Sequence, residues 1–105
     1  MRIERIKQLE RFYQEDPGDP FNAYALALEY RAVDTEKTRQ LFNFLLDRHP
    51  DYLPTYYAAA TFFVDAGDAD RSMRIFENGM ELAGKQGDAK ALRELRSAYE
   101  ENFEM

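Results

Sequence analysis

Apolar residues recur every three to four positions along the whole chain, the spacing of helices that bury one face. Ile3, Ile6, Leu9, Phe12 and Tyr13 form a first stripe, Ala23, Leu26, Ala27 and Tyr30 a second, and Leu41, Phe42, Leu45 and Leu46 a third. Tyr56, Ala59, Ala60 and Phe63 follow, then Met73, Ile75, Phe76 and Met80, and finally Leu92, Leu95 and Tyr99. No segment sustains the period-two alternation of a half-buried strand, so the pattern predicts an all-α chain of about six helices.

Breakers separate the stripes. Asp16-Pro17-Gly18-Asp19-Pro20 ends the first helix and opens the second, with Asp19 as cap and Pro20 in the first turn, where a missing N–H costs nothing. Val33-Asp34-Thr35 is a short turn, and Thr35 is the expected N-cap of the third helix, which ends at His49-Pro50. The fourth helix begins near Pro54. Gly67 then permits a left-handed cap and Asp68 caps the fifth helix, which is expected to end around Gly84 before Asp88 opens the sixth.

The breakers are themselves periodic. Leu9 precedes Pro17 by eight residues, as Phe42 precedes Pro50 and Phe76 precedes Gly84. Pro17, Pro50 and Gly84 therefore stand 33 and 34 residues apart. Around these markers the chain reads Ala23-x2-Leu26-Ala27-x2-Tyr30 with Thr38-x3-Phe42 and Pro50, then Tyr56-x2-Ala59-Ala60-x2-Phe63 with Ser72-x3-Phe76. Arg5-x3-Leu9 with Pro17 supplies a second half alone, and Leu92-x2-Leu95-Arg96-x2-Tyr99 a first half alone.

On these residues the sequence resembles the tetratricopeptide repeat family, whose 34-residue unit pairs a Trp-x2-Leu-Gly-x2-Tyr helix with an Ala-x3-Phe helix and a proline. The resemblance covers nearly the whole chain. It departs from the pattern in having no Trp, in Ala59 at the usual Leu, and in Gly84 for a proline. It implies a single domain over 1–105, an α-solenoid of antiparallel helices: an N-terminal half-repeat at 1–16, repeats at 19–50 and 51–84, and a capping helix at 88–105. Large residues such as Phe42 and Phe76 fill the space between helices, and small ones let backbones approach. Gly79 is expected to survive inside a helix because a neighbouring helix packs against it.

The resemblance also implies a concave groove lined by the first helix of each pair. The positions are Phe21, Tyr24, Leu28 and Arg31 in the first repeat, Pro54, Tyr57, Thr61 and Val64 in the second, and Lys90, Arg93 and Ser97 on the last helix. Aromatic groups with cations at the edges suit a peptide or protein partner carrying apolar and acidic side chains. The other reading of Tyr24 and Tyr57 is packing on the next helix, and of Arg93 a solvated charge. Family members that clamp a chaperone's C-terminal carboxylate use Lys and Asn in the groove. Tyr24 and Tyr57 stand where that clamp would place cations, which disfavours that role.

Composition narrows the function classes. A formal net charge of −6 opposes general binding to nucleic acid or anionic membranes. No apolar run is long enough for a membrane span, and the N-terminus shows no signal-peptide core. With no cysteine there is no disulfide or thiolate metal site, and the expected location is cytoplasmic. His49 is the only histidine, at a helix C-terminus, where a structural or solvated role is expected. Asp65-Ala66-Gly67-Asp68-Ala69-Asp70 has its glycine too early for a calcium loop. No catalytic, cofactor or metal set emerges. The expectation is a non-catalytic adaptor, with self-assembly into a homodimer as the second reading and an enzyme as the third; Phe103 and Met105, apolar and near a terminus, would either dock into a neighbour or be frayed.

Overall fold

The computed structural model describes residues 2–103. Among them are six α-helices and no strand: α1 (Arg2–Glu15), α2 (Pro20–Tyr30), α3 (Thr35–Arg48), α4 (Pro54–Asp65), α5 (Ala69–Gln86) and α6 (Ala89–Phe103). The chain forms two compact units, one up to Tyr52 holding α1–α3 and one from Leu53 holding α4–α6. Short turns within each unit make its consecutive helices antiparallel.

In the first unit α1 packs on α2 and α2 on α3. Ile6 and Leu9 of α1 meet Leu26 and Tyr30 of α2, with Tyr13, Ala25 and Leu41 packed against them. Polar bonds fix the register of α1. Arg5 Nε donates to Glu29 at 2.6 Å, and Tyr30 donates its phenol proton to Glu10. Asn22 of α2 donates to the carbonyls of Phe12 and Asp16 at the end of α1, which also accept from the backbone N–H groups of Asp16 and Asp19. Burial first, then Glu10 and Asp34, pushes the Tyr30 phenol up to about 12. Phe42 and Leu45 of α3 are fully buried.

In the second unit α4 packs on α5, α5 on α6, and α4 also touches α6. Ala59, Ala60, Ser72 and Gly79 keep the α4–α5 seam narrow. The buried Ser72 hydroxyl donates to the Ala60 carbonyl at 2.7 Å. An ideal Cβ on Gly79 would lie 2.7 Å from the Tyr56 Cβ and 3.3 Å from Leu95 Cδ1, so the glycine is required by the close approach. Phe76 meets Tyr99 and Phe103 edge-on, each at 6.1 Å between ring centres. Phe103 therefore docks within its own unit, and Met105 lies outside the described residues.

The caps follow the breakers, with two corrections. Asp19, Asp68 and Asp88 accept from the backbone N–H groups of Phe21, Arg71 and Ala91 as expected. The cap of α3 is Asp34, which accepts from Lys37 N; Thr35 is instead the first helical residue. A carboxylate competes well for that position, and one residue of turn length decides which side chain occupies it. Nor does α5 stop around Gly84. It runs to Gln86 and ends at Gly87, whose φ of +71° gives the left-handed cap. Gly84 costs a helix less than a proline would, so the family's stop signal is weakened there and the next glycine acts instead.

Candidate interaction surface

Among the described residues, six large hydrophobic side chains stand exposed: Ile3, Phe12, Phe21, Leu28, Val33 and Tyr57. Three of them, Phe21, Leu28 and Tyr57, are groove positions expected from the sequence. Phe21 and Leu28 are two turns apart and share one face of α2, with Tyr24 and Arg31 beside them. Tyr24 is half-buried against Tyr52 of the same unit, ring centres 5.9 Å apart. Burial raises the pKa of both phenols, and Tyr24 and Asp19 add to the rise at Tyr52. Tyr24 thus packs and faces solvent at once, whereas Tyr57 is 47% exposed.

In the second unit the structure brings Tyr57, Thr61 and Val64 together around a pocket of about 220 Å³ between α4 and α6. Its other lining residues are Asp65, Ala98, Glu101 and Asn102. Thr61 Oγ1 bonds back to the Tyr57 and Ala58 carbonyls, leaving its methyl group for contact. Asn102 Nδ2 donates to the Ala98 carbonyl at 2.8 Å. Lys90 and Arg93 are exposed on α6 outside this pocket, and Lys90 Nζ lies 3.9 Å from Glu94.

Sequence reasoning missed Asp65, Glu101 and Asn102. The last turns of α4 and α6 have carboxylates and no basic residue, but the same holds for α1 and α2, so the sequence offered no distinguishing signal. Helix C-termini carry partial negative charge and ordinarily attract cations, as Arg48 and Lys85 do in the last turns of α3 and α5.

Other chemistry is sparse. His49 is the C-cap of α3, its ring edge-on to Phe44 at 5.7 Å. The stretch 65–70 spans the α4–α5 turn, which occupies 66–68 with Gly67 at φ +82°. Among the described residues no group of three His, Cys, Asp or Glu side chains could hold a metal ion. Nor is any helix among them long and apolar enough to cross a membrane.

The six helices and their recurring half-repeats define an all-α helical-repeat protein. Two solved structures of a tetratricopeptide repeat domain protein from Salinibacter ruber share the fold. The solution NMR structure is 32% identical, with a TM-score of 0.78 over 84% of this chain and 90% of that one. The crystal structure is likewise 32% identical, with a TM-score of 0.75 over 80% of this chain and 94% of that one. No family model and no curated protein matches the sequence. The chain belongs to the tetratricopeptide repeat family. This repeat fold typically serves as a non-catalytic protein-interaction module.

Proposed function

We propose that the chain is an adaptor that binds a peptide or protein partner through the exposed side chains of α2 in the first unit and of α4 with α6 in the second. The observation that carries this reading is the exposure of Phe21, Leu28 and Tyr57 on those helices. A folded chain could bury such side chains; left on expected contact faces, they supply apolar area for a guest. Tyr24 adds a partly held ring with an exposed edge, so little conformational freedom is lost on binding. A purely acidic guest finds less support, since Asp65 and Glu101 line the pocket and Lys90 lies near Glu94.

The test replaces Tyr24, Tyr57 and Arg93 with Ala together and compares the proteins captured from the native cell. Loss of partners from a variant that keeps its helical content supports the reading; an unchanged set of partners removes it. Self-assembly is the second reading, favoured by Ile3 and Phe12 standing exposed on α1, Ile3 at 69%. Light scattering separates the two, because a strict monomer at high concentration eliminates a homodimer.

A further inference from the structure

Both complete repeats close the seam between their two helices on a pair of small side chains. Ala27 of α2 and Thr38 of α3 are fully buried in the first unit. Ala60 of α4 and Ser72 of α5 are fully buried in the second, where the Ser72 hydroxyl donates to the Ala60 carbonyl. Two turns further along α5, Gly79 lies against Tyr56 of α4. The two half-repeats break this rule. In the phase of the repeat, Arg5 of α1 stands where Thr38 and Ser72 stand, and Arg96 of α6 where Ala27 and Ala60 stand. Both arginines are exposed. The apolar positions of the same seam are kept: Phe12 takes the place of Leu45 and Gly79, and Leu92 that of Tyr56. Phe12 is 42% exposed whereas Leu45 is fully buried. Leu92 borders a largely apolar pocket of about 190 Å³ with Ala83 and Ala89.

By pattern α6 holds the first half of a repeat and α1 the second, so α1 of a second copy laid on α6 would complete one. In the register of the α4–α5 seam, Phe12 of that copy falls on Leu92. The pocket there admits a phenyl ring, since an apolar cavity of about 150 Å³ takes benzene. The same register sets Arg5 against Arg96 where the helices come closest. Two guanidinium groups would lose water side by side, and Glu29, already paired with Arg5 and Arg2, offsets only one of those charges. We propose that Arg5 and Arg96 bar the chain from joining copies of itself through α1 and α6. Like charges set face to face exclude a partner that apolar shape alone would admit. The bulk of two arginines also holds apart helices that alanine and serine let close. The inference is independent of the adaptor reading, and it removes these two surfaces from the homodimer reading.

The experiment follows self-association by sedimentation equilibrium, with circular dichroism confirming that each variant keeps its helices. Both substitutions replace an exposed helical residue by the best helix former, so the fold is expected to survive them. An equimolar mixture of Arg5→Ala and Arg96→Ala chains should form a one-to-one dimer at about 10 µM, at least about a hundredfold below any association of the wild type. The mixture stops at two chains, because one seam in it is free of arginine and the outer surfaces of the pair stay barred. The Arg5→Ala/Arg96→Ala chain should associate with itself, since it carries both cleared surfaces. Adding Phe12→Ala to the Arg5→Ala chain should return the mixture to monomers. Folded variants that stay monomeric when mixed overturn the proposal. So does wild-type association at about 10 µM that Phe12→Ala abolishes, because the arginines then bar nothing.

Discussion

Replacing Gly79 with Ala should destabilise the protein, although Ala is the better helix former. Gly79 lies in the interior of α5 and is buried against α4. On propensity alone the substitution would gain about 1 kcal/mol. The added Cβ, however, would stand 2.7 Å from the Tyr56 Cβ and 3.1 Å from its Cγ. Carbon atoms in contact prefer about 3.5–4.0 Å, so α4 and α5 must part by about 1 Å. The obstacle is anchored to the α4 backbone and cannot swing aside as a side-chain tip could. Overpacking of this kind costs about 1–3 kcal/mol, and the rigid obstacle places this site in the upper part of that range. The net loss is then about 1–2 kcal/mol, roughly 5–15 °C in melting temperature for a chain of this size. Gly84→Ala is the internal control: same helix, no atom within 4 Å of its Cβ, and hence an expected gain of up to about 1 kcal/mol. Thermal and denaturant unfolding of both variants, followed by circular dichroism, gives the comparison. Equal stabilisation by the two substitutions would refute the close-approach account of the α4–α5 seam.

Other substitutions probe separate parts of the fold. Ser72→Ala removes the buried bond to the Ala60 carbonyl and should cost about 1 kcal/mol in urea unfolding, while loss of the same bond should leave the helix content unchanged. Phe42→Ala empties a fully buried site in the first unit and should cost about 3–5 kcal/mol, measured the same way. The Tyr30 phenol is raised from 10.0 to about 12, so the unfolded chain gives up that proton first. Its contribution is complete below pH 10 and is lost as pH rises through 12. Denaturant titrations across that window should show falling stability, with a shallower fall in Tyr30→Phe.

The helices and their pairing were legible because the apolar stripes and the breakers keep one phase over most of the chain. A shift of a single position would have moved Phe42 or Phe76 out of the core, so the repeat constrains them strongly. Where the family's punctuation is altered the reading slipped. Gly84 lacks the steric block of a proline, and α5 continued to Gly87. In the Asp34-Thr35 pair either side chain can cap, and backbone geometry chose Asp34. The exposure of Phe21, Leu28 and Tyr57 was legible on α2 and α4, where full repeats fix which residues point outward. On α6 only half a repeat sets the phase, and which residues approach α4 depends on the packing of three helices. Lys90 and Arg93 were the expected positions, while Ala98, Glu101 and Asn102 line the pocket.

The most direct test of the contact surface is NMR shift mapping of the isotope-labelled chain, titrated with the partner it captures. The account predicts that the largest changes fall on Phe21, Tyr24 and Leu28 of α2, on Tyr57, Thr61 and Val64 of α4, and on the final turns of α6. Changes confined to the solvent faces of α3 and α5, around Gln40, Arg74 and Glu77, would contradict it.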